Sequence, residues 1–158
     1  MSLTPVTTLD QALLVRSLRN SCREFLTNYQ RRLGIVQQVR WYFSFYRAAY
    51  QSGHYRLYLL RDDRGDRVGY GALALQDTNL LITECVNRQH RGKGYGRAIL
   101  GELMCIAYSE QRDLIAEIWA DNAASIALHE KAGFALQSTS VKFGKQLQTY
   151  IWKHRIDA

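Results

Sequence analysis

The chain has 158 residues, of which 47% are hydrophobic and 22% are charged, values that are ordinary for a soluble globular protein. Its length predicts a single domain over residues 1–158 with a sizeable core. No apolar run approaches the roughly 20 residues that span a bilayer, and Met1–Pro5 lacks the basic and apolar regions of a signal peptide, so neither a membrane span nor a secretory signal is expected. The net charge of +7 favours an anionic ligand.

The cysteines are an odd set, and their spacing is not that of a metal site: Cys22, Cys85 and Cys105. Reduced thiols in a cytoplasmic protein are the default interpretation of such a set, and no metal is expected.

The N-terminal third is predicted to be mainly helical. A short first strand is expected over Pro5–Leu9, and a helix follows over Gln11–Leu18 with Asp10 as its N-cap. A second short helix is predicted over Cys22–Thr27. A longer helix over Ile35–Tyr50 ends at Ser52 and Gly53. We expect these helices, at about residues 10–50, to cover one face of a sheet.

The helix over Ile35–Tyr50 carries aromatic residues on all sides, more than one buried face requires. Trp41 and Phe45 are predicted to lie in the core. The other aromatic residues of this helix exceed what one buried face needs: Tyr42, Phe43, Tyr46 and Tyr50.

The remainder alternates strands and helices. Helices are predicted over Gly94–Gln111 and Asn122–Lys131, the second ended by Gly133. A hairpin turn is predicted at Asp62–Asp66, and another turn at Gly144-Lys145. Six further strands are predicted: Tyr55–Arg61, Arg67–Leu75, Asn79–Val86, Leu114–Ala120, Phe134–Val141 and Gln148–Trp152. This order predicts a mixed α/β sheet with helices on both faces.

A glycine-rich turn joins the strand Asn79–Val86 to the helix that follows it. Its glycines at alternate positions, Gly92, Gly94 and Gly96, let main-chain N–H groups approach a ligand, and the helix N-terminus adds partial positive charge. Such a turn binds anions and suits a diphosphate. The spacing fits neither the dinucleotide fingerprint nor the P-loop. On glycine spacing alone, a purely structural turn stays open.

The residues around these glycines resemble a known family. The stretch Val86–Gly96 is similar to the acetyl-CoA signature of the GCN5-related N-acetyltransferase (GNAT) superfamily. The stretch Asn122–Phe134 resembles the second signature of that family, in which an Asn opens a helix. The two signatures occur in the family order within residues 80–134. This resemblance implies a mostly antiparallel sheet of six to seven strands, splayed between the fourth and fifth.

The resemblance also implies how acetyl-CoA is held. Main-chain N–H groups of the glycine turn would hold the diphosphate, with charge from nearby basic residues. The strand would carry a β-bulge, and its free groups near Cys85–Asn87 would pair with the pantetheine arm, with an N–H near Val86 polarising the thioester carbonyl. Asn122 would hydrogen-bond the pantetheine or act as an ordinary helix N-cap. The cofactor-binding residues implied are Cys85, Val86, Arg91, Gly92, Lys93, Gly94, Tyr95, Gly96, Arg97, Asn122 and Ser125.

Transfer to an amine needs a base, a polarised carbonyl and a proton for the leaving thiolate. The stretch Ala116–Asn122 resembles the part of ribosomal-protein N-terminal acetyltransferases that carries the catalytic Glu, which makes Glu117 the candidate base. Glu117 could equally be a strand carboxylate paired with a basic side chain such as Arg88, and Glu84 is the rival base. His129 occupies the position at which relatives usually have a Tyr that serves as the general acid. It is the candidate acid, unless a tyrosine takes that role and His129 is only a helix-surface residue.

The acceptor is where two resemblances diverge. Arg19–Arg23 with the later Trp41-Tyr42 pair is similar to enzymes that acylate amino-sugar nucleotides, whereas the Glu117 stretch points to peptide N-termini. Trp41, Tyr42 and Arg23 are therefore the candidate substrate contacts, for a small-molecule or peptide amine. A non-catalytic acyl-CoA sensor and a nucleic-acid-associated protein are the alternatives, the second without a recognised motif. A homodimer is possible, because many relatives dimerise through their C-terminal strands.

Overall fold

The computed structural model describes residues 3–155, so Met1, Ser2 and residues 156–158 of the predicted domain lie outside the described range. The seven strands are β1 (Leu3–Pro5), β2 (Tyr55–Arg61), β3 (Arg67–Gln76), β4 (Asn79–Val86), β5 (Leu114–Trp119), β6 (Ala135–Lys142) and β7 (Lys145–Trp152). The five helices are α1 (Leu9–Ser21), α2 (Ile35–Trp41), α3 (Arg47–Gln51), α4 (Tyr95–Ser109) and α5 (Ala123–Lys131). Short 3-10 turns occupy Arg23–Phe25 and Arg88–His90.

The start of α1 differs from the prediction. Thr8, not Asp10, is the N-cap: its side chain accepts from the Gln11 N–H, and the Gln11 side chain accepts from the Thr8 N–H in return. Because this capping box starts the helix at Leu9, the predicted first strand over Pro5–Leu9 is wrong, and β1 lies earlier.

The predicted aromatic helix is present but contains a π-helical turn, Tyr42–Tyr46, between α2 and α3. A π turn takes one residue more than an α turn and so rotates the residues that follow it. Tyr42 and Tyr46 are therefore buried, whereas Phe45 is 48% exposed. The prediction that Phe45 lies in the core is wrong.

The strands form one sheet in the order β1-β2-β3-β4-β5-β7-β6. All neighbouring pairs among the described strands are antiparallel except β4 and β5. That parallel pair is matched at three positions, from Leu80 with Leu114 to Ile82 with Ala116. Beyond these positions, the rest of β4 to Val86 and the rest of β5 to Trp119 do not pair with each other. This confirms the splay between the fourth and fifth strands.

The helices cover both faces, as predicted. On what we call the α4/α5 face, Leu80 and Ile82 of β4 pack with Leu103 of α4. The glycines of β3 allow this close approach, because a Cβ on Gly71 would lie 3.1 Å from Leu103. On the opposite face, the α1/α2 face, residues such as Val15, Tyr46, Leu57 and Cys85 form a second cluster.

No helix among residues 3–155 is both long enough and apolar enough to cross a membrane.

Candidate active site

The site is the opening between the separated ends of β4 and β5. It holds a cavity of about 380 Å³. One wall is the segment after α1, which includes Phe25, Leu26 and Thr27, and the other is the start of α5. The cavity therefore extends to both faces of the sheet.

The glycine turn lies open beside this cavity. Gly92 and Gly94 have φ of 75° and 84°, a left-handed conformation that favours glycine, and a Cβ on either would meet no atom within 4 Å. Gly94 is also the N-cap of α4 and offers no side chain to the free N–H groups of the first turn. Lys93 and Arg97 are exposed beside it, whereas Tyr95 and Gly96 are half-buried.

Arg91 is already engaged by the protein. Its Nε donates to the Val86 carbonyl at 3.2 Å, and its guanidinium lies 4.8 Å from the centre of the Phe25 ring. Arg91 thus joins the glycine turn to β4 and to the wall after α1.

Main-chain groups of β4 face the opening without a bulge, and of these the Val86 carbonyl already accepts from Arg91 Nε. The β3–β4 register is continuous from Gly69–Val86 to Gln76–Asn79, so the expected bulge is absent from this described pair. The Asn87 N–H donates to the Val68 carbonyl, which makes residues 87, 85 and 83 the hydrogen-bonded positions toward β3. The main-chain groups of Glu84 and Val86 therefore point toward β5, where pairing has ended.

Asn122 is the N-cap of α5, and its side chain accepts from the Ser125 N–H at 3.3 Å. Both residues are half-buried and line the cavity. The amide NH₂ of Asn122 makes no hydrogen bond among residues 3–155, so the capping role leaves a donor for a ligand.

His129 and Glu84 form a pair on the α4/α5 face. His129 is fully buried, so the alternative that it is a helix-surface residue is wrong. Its Nδ1 lies 2.8 Å from the Ser125 carbonyl, and because a carbonyl only accepts, Nδ1 carries a proton. Its Nε2 lies 3.2 Å from a Glu84 carboxylate oxygen.

The charge of this pair follows from its surroundings. Burial lowers the pKa of His129, but the adjacent Glu84 carboxylate and the Ser125 carbonyl together outweigh burial, so the pKa of His129 is raised above its ordinary value. The protonated form of His129 is therefore favoured next to the cavity.

Glu117 lies across the opening, on the α1/α2 face of β5. Thr27 Oγ1 donates to its carboxylate at 3.4 Å, and Lys142 Nζ lies 3.7 Å from the same oxygen. Its basic partner is thus Lys142 and not Arg88. Its side chain is 27% exposed and lines the cavity, which leaves the carboxylate accessible to a ligand.

Cys22 and Cys85 form a disulfide between the end of α1 and β4, across 63 residues of sequence. The prediction of reduced thiols is wrong for these two residues, while Cys105 is free and exposed. The register explains the pairing: Cys85 lies on the α1/α2 face, one residue from Glu84, and Cys22 approaches it from the C-terminus of α1. The disulfide lines the cavity.

A second cavity, of about 290 Å³, adjoins the first on the α1/α2 face. Leu26, Asn28 and Thr83 line both. Of the candidate substrate contacts, Trp41 lines this second cavity. The other two lie elsewhere. Tyr42 is buried and donates to the Thr7 carbonyl at 2.8 Å, and Arg23 lines a separate polar groove, so the structure places neither of them on the second cavity.

Sequence reasoning did not identify the wall residue Thr27, the disulfide partner Cys22 or the second cavity. No local pattern marks them, because each meets its partner only through contacts distant in sequence. Within residues 3–155 no three His, Cys, Asp or Glu side chains are grouped as a metal site.

Comparison with known proteins agrees with this architecture. The acetyltransferase (GNAT) domain family matches residues 1–135. A search of the curated proteins found no match.

Solved structures of similar fold cover nearly the whole chain. The protein yncA of Salmonella typhimurium, solved with acetyl-CoA, is 22% identical with a TM-score of 0.78 and covers 100% of this chain and 97% of its own. A ribosomal-protein-alanine N-acetyltransferase of Brucella melitensis is 24% identical, with a TM-score of 0.80 and coverages of 97% and 99%. The spermidine N-acetyltransferase of Vibrio cholerae, solved with CoA and spermine, is 12% identical, with a TM-score of 0.82 and coverages of 97% and 96%.

At these identities the solved structures show a shared fold. The match over residues 1–135 covers most of the sequence, and this chain therefore belongs to the acetyltransferase (GNAT) domain family.

Proposed function

We propose that the protein is an acetyl-CoA-dependent N-acetyltransferase of one domain, which moves an acetyl group directly to a primary amine. One observation carries the proposal. The opening between β4 and β5 connects an unsealed glycine turn at the N-terminus of α4 to a cavity that holds two carboxylates and a buried histidine.

The residues of the opening fit coenzyme A. The N–H groups of the glycine turn and the exposed Lys93 and Arg97 suit a diphosphate. The main-chain groups of Glu84 and the N–H of Val86 suit an amide-bearing arm that lies between the strands, while the Val86 carbonyl is engaged by Arg91. The free donor of Asn122 can bind the same arm.

Bound acetyl-CoA would supply the activated acetyl group, whose C–S bond breaks as the new N–C bond forms. We assign the base to Glu117, because it lies on the α1/α2 face, where the second cavity can hold the amine. Glu117 accepts the ammonium proton, directly or through water, and passes it to solvent; it then accepts the second proton that the nitrogen loses as the amide forms, and the proton given to the thiolate is replaced from solvent. The His129–Glu84 pair, on the other face, returns a proton to the thiolate, and the Val86 N–H is placed to polarise the carbonyl.

The first experiment measures binding and turnover separately. Calorimetry at low ionic strength should detect coenzyme A binding, and free thiol should appear when acetyl-CoA is incubated with a broad amine panel. Arg97→Gln should weaken coenzyme A binding, whereas Arg40→Gln, an exposed change outside the opening, should not. Binding without turnover across the panel would instead favour an acyl-CoA sensor, and no binding would overturn the proposal.

The sequence predicts the cytoplasm as the location, but the Cys22–Cys85 disulfide argues against a reducing compartment, and thiol counting decides between the two. A homodimer is the proposed assembly. The exposed Leu136 and Val141 of the edge strand β6 agree with a dimer, which sedimentation velocity would test.

A further inference from the structure

The second cavity joins the cavity between β4 and β5 at Leu26, Asn28 and Thr83, which line both. A molecule lying in the second cavity would therefore present one end beside Glu117 and the separated strands. Under the proposed function, that end is the amine of the acceptor.

The walls of this cavity combine aromatic, aliphatic and polar side chains. The aromatic ones include Tyr29, Trp41, Tyr55 and Tyr70. Trp41 and Tyr55 stand edge to face at 6.0 Å, which fixes both rings. Burial raises the pKa of the Tyr55 and Tyr70 phenols, so both are neutral at physiological pH. These aromatic side chains bind a flat or apolar body better than an extended polar chain.

The charges of the cavity all have one sign. Arg16 and Arg19 line it, and no acidic residue does so among residues 3–155. Nor does either guanidinium lie within 4.0 Å of a carboxylate in that part of the chain. A polycationic acceptor would be repelled here, whereas an anionic group would be attracted.

The two arginines are held in place by main-chain carbonyls and not by charge. Arg19 donates to the carbonyls of Tyr29 and Arg31, and its guanidinium lies 5.3 Å from the centre of the Tyr29 ring. Arg16 donates to the Leu33 carbonyl at 2.9 Å, and its buried Nε makes no hydrogen bond within residues 3–155. Their positive charges are thus oriented but not neutralised.

We propose that the acceptor is a small amine with an aromatic or apolar body and an anionic group, a carboxylate or phosphate, that pairs with Arg19. This inference rests on the proposed function and names its substrate class. It separates this chain from a polyamine acetyltransferase, although the spermidine enzyme of Vibrio cholerae shares the fold.

The test uses acceptors that differ only in the anion. L-phenylalanine is compared with phenethylamine, and tyramine phosphate with tyramine, with spermidine as the polycation. We expect at least one anionic member to have a kcat/KM higher than its neutral counterpart by about 10- to 100-fold, the range of a charge-assisted hydrogen bond. Spermidine should be the poorest acceptor.

Arg19→Gln should reduce that anion preference toward unity, mainly through KM, and Arg19→Lys should restore part of it. Arg40→Gln is the matched control, because it removes one exposed positive charge from the same helical region. A purely structural effect of Arg19 on the Tyr29–Arg31 loop would lower kcat/KM for the charged and neutral acceptors alike and leave their ratio unchanged. That unchanged ratio, or a preference for spermidine, would overturn the inference.

Binding gives a readout that does not require turnover. Calorimetry with the protein saturated with coenzyme A, or with the protein alone if it binds none, should show tighter binding of the anionic member. Loss of that difference in Arg19→Gln supports the inference. Equal affinities for both members contradict it even when amines are acetylated, whereas a lack of coenzyme A binding contradicts only the proposed function.

Discussion

The two sides of the opening between β4 and β5 are built from neighbouring residues of the same strands, yet they are stabilised differently. On the α4/α5 face, Glu84 meets a buried histidine at 3.2 Å, an interaction that a proton can change. On the α1/α2 face, Cys85 is bonded covalently to Cys22, and Glu117 contacts Thr27. On the α4/α5 face the neighbouring carboxylate raises the pKa of His129, while on the α1/α2 face a covalent bond holds the wall after α1 in place.

The two faces therefore suit two different parts of the proposed reaction: protonation of the thiolate and orientation of the acceptor. The proton must be able to move next to the leaving thiolate, so a histidine beside a carboxylate suits the α4/α5 face. The acceptor must be oriented before attack, and a wall tied to β4 suits the α1/α2 face. Alternation along a strand makes both possible within two residues.

Removal of the carboxylate on the α1/α2 face should have the largest effect. Glu117→Gln keeps the size of the side chain but cannot accept the ammonium proton, so kcat should fall by about 10²- to 10⁴-fold. Part of the loss should be recovered at alkaline pH, where more of the amine is already deprotonated. Coenzyme A affinity, measured by calorimetry, should stay near the wild-type value.

Two further variants complete this comparison. Glu130→Gln, an exposed carboxylate on α5, should leave the rate unchanged. Glu84→Gln should reduce the rate less than Glu117→Gln does, because thiolate is a good leaving group. If Glu84→Gln instead caused the larger loss with alkaline recovery, the base would be Glu84 and the assignment of the two faces would be reversed.

Loss of the disulfide should have the next largest effect. A bond that closes 63 residues of chain restricts the unfolded state, so Cys22→Ser should lower the free energy of unfolding by about 2–4 kcal/mol. Urea unfolding with and without dithiothreitol measures this, and reduced wild type should resemble the variant. KM for the acceptor should rise as the wall after α1 loosens.

Cys105→Ser is the control, because Cys105 is exposed and free, and its stability should stay within about 0.5 kcal/mol of wild type. Thiol counting under denaturing, non-reducing conditions gives a direct check. One reactive thiol per chain is expected. If all three cysteines were detected as thiols, the prediction of reduced cysteines in a cytoplasmic protein would hold. The α1/α2 face would then have no covalent bond to compare with the α4/α5 face.

The same contrast explains which parts of the molecule the sequence predicted. The strands β2 and β4 were predicted residue for residue, and the N-cap Asn122 and terminating Gly133 of α5 were correct, because each depends on local turns and alternation. The glycine turn and the α5 signature are also local, so their positions followed from short patterns.

The α1/α2 face depends on contacts distant in sequence. The Thr27–Glu117 hydrogen bond joins residues that are 90 positions apart, and no sequence pattern around either residue indicates the contact. The π-helical turn moved Phe45 outward against its helical period, since a single extra residue per turn is invisible in the pattern. His129 was identified as a candidate acid, but its burial and its pairing with Glu84 required the packing of α5 against β4.

The smallest and most specific effect is expected for His129, whose protonation should make the free energy of unfolding depend on pH. The pKa of His129 is raised in the folded protein, so folding stabilises its protonated form. This contribution is fully present below the unfolded pKa of about 6.5 and is lost as the pH rises through the raised folded value. The free energy of unfolding of wild type should therefore exceed that of His129→Gln by more at about pH 6 than at about pH 9, as measured by urea unfolding.

The carboxylate partner supplies the control. In a Glu84→Gln background the charge that raises the pKa of His129 is gone, while burial, which lowers it, remains. The pH dependence of the His129→Gln effect should then shrink. If it were unchanged, Glu84 would not be the group that holds the proton on His129, and the α4/α5 face would have no titratable pair with which to protonate the thiolate.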